Sequence, residues 1–128
     1  MAKGKILAGV VDFTINQGDD YYFQLEIKSD NNKPIDITGC EFRCKAKVSA
    51  EDENVAFTAE PTIISGKDGK VLFHFKDEDT RLIDTDGDTY AKHKKYTYDV
   101  LMKNIQGDVT RLLNGTIFVS PGVSWDDN

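Results

Sequence analysis

The chain has 128 residues, 39% of them hydrophobic and 30% charged, with a net charge of -6 and a pI near 4.8. This is the length of one ordinary domain, which buries enough surface to fold without a metal or a cross-link. An acidic surface repels phosphate backbones and anionic lipid, so we expect no nucleic-acid partner and no membrane partner. No apolar run approaches the roughly 18 residues of a membrane span.

The first 11 residues place two lysines ahead of a short apolar run that Gly9 breaks. The run leads directly into a strand pattern, so it predicts an N-terminal arm and no secretion signal. We therefore expect three parts along the chain. They are an arm at 1–11, a β-sandwich at 12–121 and a C-terminal tail at 122–128.

Alternating apolar and polar side chains predict a series of strands. The first two are expected at 13–16 and 20–28, separated by a Gln-Gly turn, and the next at 41–49 after a turn rich in Asn, Asp and Pro. Further strands are expected at 55–59, 62–65, 70–75, 96–103, 109–113 and 116–120.

The segments between the strands predict tight reversals and one helical turn. Gly-Lys-Asp-Gly at 66–69 and Gln-Gly-Asp at 106–108 are typical of hairpins. Residues 77–83 predict a short helical turn, because acids near its start suit the helix dipole. About seven or eight short strands without β-α-β alternation predict an all-β fold, a single antiparallel immunoglobulin-like β-sandwich.

The two cysteines, Cys40 and Cys44, share a face of one predicted strand. Their Cα atoms would be about 13 Å apart, beyond the roughly 7 Å that a disulfide spans. We therefore expect free, buried thiols in a protein made in a reducing cytoplasm.

The acidic turn with Asp84, Asp86 and Asp88 has some of the oxygen ligands of a calcium loop. Counted from Asp84, however, the sixth position is Thr89 where the loop needs Gly, and the twelfth is Lys95 where it needs Glu. We predict a solvated turn with no metal site, and a bound calcium ion is the alternative.

The sequence offers no arrangement typical of catalysis. His74 falls on the opposite strand face from its aromatic neighbours, and His93 lies in a lysine-rich loop, so the two do not predict a zinc site. A nucleophile needs a base held by a third group, whereas Cys40 and Cys44 lie on an apolar face. We expect no enzyme, no catalytic residue and no cofactor.

Most aromatic side chains occupy alternating strand positions and are expected in the core. These are Tyr21, Phe23, Phe42, Phe73, Phe75, Tyr96 and Tyr98. Trp125 differs because it lies in a polar tail, where a large aromatic is a good anchor for another surface. The alternative is that Trp125 folds back on its own domain.

Several stretches carry a family resemblance. They are Ile-Asn-Gln-Gly-Asp-Asp at 15–20, Lys-Pro-Ile-Asp-Ile-Thr-Gly at 33–39, Tyr-Thr-Tyr-Asp-Val at 96–100 and Arg-Leu-Leu-Asn-Gly-Thr-Ile-Phe-Val-Ser-Pro-Gly-Val at 111–123. With these motifs the chain resembles small bacteriophage virion structural proteins. It is similar also to the immunoglobulin-like N-terminal domain of phage upper baseplate proteins. The resemblance runs from about residue 12 to residue 123.

The resemblance implies a non-enzymatic virion structural protein of a bacteriophage, in the tail or baseplate, the neck or the head decoration. Its expected partners are other virion structural proteins in a symmetric assembly, with a homo-oligomer within the particle as a further form. The expected location is the virion, after synthesis in the host cytoplasm. The alternative is a host-surface receptor or carbohydrate-binding module that uses Tyr90 and the 84–95 segment.

Apolar side chains outside the strand patterns predict where such partners dock. Short exposed segments cannot offset roughly 1 to 2 kcal/mol of backbone entropy per ordered residue, so they gain by docking on a neighbouring subunit. The predicted docking residues are Ile6, Leu7, Val10, Val11, Val123 and Trp125.

Overall fold

The computed structural model describes residues 9–83, residue 85 and residues 94–122. Among these residues the chain forms eight strands and one helical turn. In chain order they are β1 (Gly9–Val10), β2 (Phe13–Asn16), β3 (Tyr21–Glu26), β4 (Glu41–Lys47), β5 (Phe57–Ser65), β6 (Lys70–Phe75), α1 (Asp77–Thr80), β7 (Lys94–Lys103) and β8 (Val109–Ser120).

The strands form one mixed sheet in the order β1-β8-β7-β4-β5-β6-β3, and β2 also pairs with β8. The predicted all-β fold is confirmed. The prediction of a purely antiparallel arrangement is wrong, because β1 and β2 run parallel to β8. No hairpin joins these strands to β8, so nothing forces them to reverse direction.

β1 falls inside the segment predicted as an ordered or semi-ordered N-terminal arm. Gly9 and Val10 stand opposite Leu113 and Asn114 of β8, so the described end of the arm is part of the sheet. Alternation of apolar and polar side chains could not predict β1, because a strand of two residues is too short to show a period.

Two strands are continuous where the sequence predicted breaks. β5 passes through Pro61, which stands opposite Phe73 of β6, beyond the point where the β4 ladder ends at Ala59. β8 passes through Gly115, which stands opposite Tyr98 of β7. Proline is tolerated where no neighbouring strand needs its N–H, and that condition depends on tertiary pairing.

The sheet curls so that strands from its two ends meet through aromatic rings. Phe13 of β2 stacks on Tyr21 of β3 with ring centroids 5.1 Å apart, and meets Tyr98 of β7 edge-on at 5.1 Å. Phe57 of β5 packs edge-on against Tyr96 of β7, also at 5.1 Å. The core therefore lies inside the curl.

The residues predicted for the core are confirmed there. Phe42, Phe73, Phe75, Tyr96 and Tyr98 are buried, and Tyr21 and Phe23 are partly buried and pack against them. Burying one such side chain contributes about 1.5–3 kcal/mol. Cys40 and Cys44 are free thiols, and Cys44 is buried in the core as predicted. The prediction that Cys40 is also buried in the same strand is wrong, because Cys40 lies just before β4 and is only partly buried.

The predicted turns are also present. Gly69 and Gly107 have φ of 68° and 91°, conformations that glycine adopts without a steric penalty. The helical turn α1 is shorter than the predicted 77–83 segment, and three acids occupy its first turn. The hydroxyl of Thr80 donates to the carbonyl of Asp19 at 2.7 Å, which fixes α1 beside the start of β3.

Candidate docking surface

The part of the predicted docking surface that the structure describes is the segment 9–16, which we call the N-terminal edge. It contains β1, β2 and the two residues that join them, all laid along β8. The Val11 N–H donates to the Asn114 carbonyl at 3.0 Å, and Asp12 Oδ1 accepts the N–H of Thr116 at 2.8 Å. A side chain therefore continues the ladder where the backbone steps from β1 to β2.

Tyr98 ties the N-terminal edge to the core. Its hydroxyl donates to the Val11 carbonyl at 2.6 Å, and the residue is only 3% exposed. Burial raises the pKa of Tyr98 to about 12, with smaller contributions from Cys44, Asp12 and Tyr21. The phenol thus stays protonated and remains a hydrogen-bond donor at neutral pH.

The valine side chains of the N-terminal edge stay in solvent although their backbone is paired. Val10 is 74% exposed and Val11 is 46% exposed. Of the predicted docking residues, these two are placed together on one edge. The other four, Ile6, Leu7, Val123 and Trp125, lie outside the described residues.

Gln17 holds the C-terminal end of β8 against the N-terminal edge. Its N–H donates to the Ser120 carbonyl at 2.8 Å, and its Oε1 accepts the N–H of Gly122 at 3.0 Å. Its Nε2 donates to the carbonyl of Ile83 at 2.7 Å. The contacts of Gln17, Asp12 and the Tyr98 hydroxyl could not be predicted from the sequence, because strand periodicity carries no information on such distant polar contacts.

The register separates the two chain ends. Gly9 stands opposite Leu113, whereas Asn16 stands opposite Ser120, so the described chain enters and leaves at opposite ends of this parallel ladder, about 23 Å apart at 3.3 Å per residue. Residue 8 precedes one end and residue 123 follows the other. The predicted docking residues are thus attached at two separate points.

The thiols and the described histidine have local roles in this structure. Burial, and then the charge of Asp99, raises the pKa of Cys44 to about 12. Burial, followed by the charge of Asp36, raises the pKa of Cys40 as well. Both thiols are therefore protonated at neutral pH. Separately, His74 Nε2 lies 2.7 Å from Asp20 Oδ1, and the His74 ring stacks on Tyr22 with ring centroids 4.1 Å apart.

Among the described residues, no group of three or more His, Cys, Asp or Glu side chains is placed to hold a metal ion. The predicted acidic turn at Asp84, Asp86 and Asp88 lies outside them, as do His93 and Tyr90. The part of the chain that the structure describes has no helix long and apolar enough to cross a membrane.

No protein-family model and no curated protein sequence matches the chain. The fold is similar to the crystal structure of the SrpA adhesin R347E mutant from Streptococcus sanguinis, with a TM-score of 0.46 and 12% identity over 85% of this chain. The match covers 54% of that adhesin chain, so this chain spans about half its length. A murine CRIg structure has a TM-score of 0.37 and 11% identity, covering 88% of this chain and 92% of the other. At these scores we draw no functional conclusion from either structure.

Proposed function

We propose that this protein is a non-enzymatic virion structural protein of a bacteriophage, a tail or baseplate, neck or head-decoration component. It acts by protein–protein contacts with other virion subunits. In this proposal the curled sheet is an immunoglobulin-like β-sandwich that serves as a rigid body, and the two chain ends attach it to its neighbours. The sequence resemblance described above supplies the class of particle.

The observation that carries the proposal is the exposure of Val10 and Val11 on an edge whose backbone is already hydrogen-bonded. Ordering the backbone beforehand removes most of the entropy cost of docking, so a partner gains directly from burying the two side chains. Attachment points about 23 Å apart along β8, beside Leu113 and Ser120, suit a subunit that contacts a different neighbour at each point.

The chemistry of the described polar groups supports a non-enzymatic role. The most buried thiol, Cys44, has a pKa of about 12 and faces the core. His74 and Asp20 are used together with Tyr22 to join β3, β6 and α1. These groups make contacts within the fold, whereas a catalytic nucleophile or base must be free to reach a substrate.

The test is incorporation into particles produced by the phage that encodes the chain. Mass spectrometry of gradient-purified particles should find the protein at a fixed ratio to the major structural proteins. Val10→Asp and Val11→Asp should lower that ratio at least several-fold while the free protein stays folded, because a buried carboxylate without a partner is costly.

Val48→Asp is the matched control, because Val48 is also half-exposed, at 52%, but lies away from the N-terminal edge. It should incorporate normally. Absence of the protein from purified particles would overturn the proposed function. Normal incorporation of both edge variants would show instead that another surface makes the attachment.

A further inference from the structure

β3 is an end strand of the sheet, and its outward backbone groups are identifiable. The Ile27 N–H donates to the Gly69 carbonyl at 2.7 Å, in register with the β3–β6 ladder. Backbone direction alternates along a strand, so the odd residues of β3 face β6 and the even residues face away. Within the described residues, the backbone of Tyr22, Gln24 and Glu26 meets no neighbouring strand on that side.

The turn after β3 leaves this edge open. The Ile35 N–H donates to the Ile27 carbonyl at 2.9 Å, and the Ser29 N–H donates to the Lys33 carbonyl at 2.8 Å. Both bonds use backbone groups of odd-numbered residues, Ile27 and Ser29, which continue the chain direction of β3. The 33–35 segment therefore lies on the same side of this chain as β6. Within the residues that the structure describes, the even-numbered side from Tyr22 through Lys28 is therefore not occupied by this turn or by a paired strand.

β5 also has an unpaired edge beyond Ala59, where its ladder with β4 ends, but this edge is protected in a way that the edge of β3 is not. The backbone N–H and C=O of Phe73 point to β3, so those of its neighbours on β6 point to β5. Pro61 stands opposite Phe73, and its nitrogen therefore points away from β6. A proline there offers no donor to an added strand, which is a common protection of sheet edges. β3 has no proline and no bulge, and its pairing with β6 is regular over its whole length.

The inward row of β3 is incompletely covered. Tyr21, Phe23 and Leu25 pack against the core but remain partly exposed, whereas their partners Phe73 and Phe75 on β6 are fully buried. A strand added beside β3 would cover this row. The edge thus offers both unpaired backbone groups and apolar surface.

We propose that β3 pairs antiparallel with β3 of a second copy of this chain, about a two-fold axis at Gln24. A symmetric pair must place even residues opposite even residues if the outward backbone groups are to bond. Centring on Gln24 places Tyr22 opposite Glu26 and Asp20 opposite Lys28, so the two-fold creates two opposite-charge pairs. Opposite charges that face each other across strands stabilise the pairing.

The two neighbouring registers are less favourable. Centring on Phe23 places Asp20 opposite Glu26, and like charges directly opposite destabilise a ladder. Centring on Leu25 places Lys28 opposite Tyr22 and Glu26 opposite Gln24, so neither side chain meets an opposite charge. Both bonds that Asp20 accepts, from His74 and from the Asp77 N–H, end on Oδ1, so Oδ2 can receive Lys28 of the second copy. Charge therefore selects the register centred on Gln24.

The contact is small. A six-residue strand pair buries less than the roughly 800 Å² per partner of a stable complex, so the isolated dimer is weak and depends on concentration. Within any assembly that holds copies side by side, the effective concentration raises its occupancy. The β3 edge is distinct from the N-terminal edge that we propose as the attachment surface. A dimer through β3 does not require the protein to be a virion component.

Sedimentation velocity over a concentration series tests the dimer. The wild-type chain should shift reversibly from monomer to dimer as concentration rises. Lys28→Glu places two acids opposite each other and should raise the dimer Kd at least tenfold, whereas Lys45→Glu, the same charge change on the exposed face of β4, should leave it unchanged. A chain that stays monomeric at the highest accessible concentration overturns the proposal, and so does equal weakening by both variants.

Oxidative cross-linking tests the register without depending on affinity. Gln24→Cys places two thiols opposite each other on the axis, within the 4.4–6.8 Å Cα separation of a disulfide, and should form a cross-linked dimer above the wild-type background. Glu26→Cys places its thiols about 13 Å apart and should not. Equal cross-linking of both variants, or of neither, contradicts the β3 pair centred on Gln24.

Discussion

At the scale of single residues, a few polar side chains fix the relative positions of segments far apart in the chain. Gln17 bonds three backbone groups, at Ser120, Gly122 and Ile83. Asp20 accepts from His74 on β6 and from the N–H of Asp77 at the start of α1. Each residue therefore connects the segment before β3 to elements that the strand pattern leaves unrelated.

The Asp20 carboxylate makes part of the stability depend on pH. The hydrogen bond from His74, and then that from the Asp77 N–H, lowers the pKa of Asp20 below its ordinary value. A folded-state pKa below the unfolded one stabilises the fold at pH above the unfolded pKa of about 3.9, and this contribution is lost as pH falls through the folded pKa.

We therefore expect Asp20→Asn to lower the melting temperature modestly at pH 5–7, with the difference from wild type shrinking as the pH falls below the unfolded pKa of about 3.9 and through the lower folded pKa. Thermal unfolding followed by circular dichroism across pH 2.5–7 measures this. Asp30→Asn, which removes a carboxylate from the exposed turn after β3, is the matched charge control and should leave the melting temperature at pH 5–7 close to that of the wild type. A deficit in Asp20→Asn that persists unchanged at the lowest pH contradicts the assignment.

At the scale of elements, β8 is the strand on which the fold depends most, because it pairs with β7 on one side and with both β1 and β2 on the other. Gly115 of β8 allows the residues that join β1 to β2 to lie close against β8. A Cβ atom at that position would overlap the carbonyl oxygen of Val11 and lie 2.9 Å from Asp12 Oδ1. The N-terminal edge can approach β8 only where the side chain is missing.

Gly115→Ala should thus displace the N-terminal edge and lower the free energy of unfolding by about 1–3 kcal/mol, the usual cost of an added methyl in a packed site. Urea unfolding measures the loss. In a chain lacking residues 1–11 the same substitution should cost much less, since the overlapping carbonyl is gone. Equal costs in the two backgrounds would mean that the strain lies elsewhere.

The sequence predicted the sheet faces well because alternation reports burial directly. Phe73 and Phe75 are buried and His74 is partly exposed, as the pattern of β6 requires. The pattern could not predict that β5 continues through Pro61 or that β1 exists. Both depend on which strands lie alongside, and that is settled by tertiary packing.

For the docking surface, the sequence identified apolar residues outside the strands but not their setting. Val10 and Val11 are exposed as expected, yet their backbone is hydrogen-bonded to β8. A further hydrogen bond, from the Tyr98 hydroxyl to the Val11 carbonyl, joins residues 87 positions apart. Local sequence carries no signal for such a pair.

At the scale of the whole molecule, removal of residues 1–11 should leave a folded but less stable domain. In the intact chain Tyr98→Phe removes the bond to the Val11 carbonyl and should cost about 0.5–1.5 kcal/mol. In the truncated chain the phenol meets water, so the same substitution should be nearly neutral.

Urea unfolding of the four chains, with and without residues 1–11 and with Tyr98 or Phe at position 98, closes this thermodynamic cycle. A positive coupling free energy is the expected result. Additive effects would show that the Tyr98 hydroxyl contributes nothing to holding the N-terminal edge in place.

The parallel pairing of β2 with β8 also determines when the fold can be completed during synthesis. Asp12 receives its hydrogen bond from Thr116, 104 positions later in the chain. A ribosome adding about 5–20 residues per second needs roughly 5–20 s to make that partner, and the exit tunnel delays it further. Until then Phe13 and Ile15 have no strand to cover them. The first strands made are therefore among the last to pair, and their apolar side chains lack this cover in the nascent chain until β8 has been made.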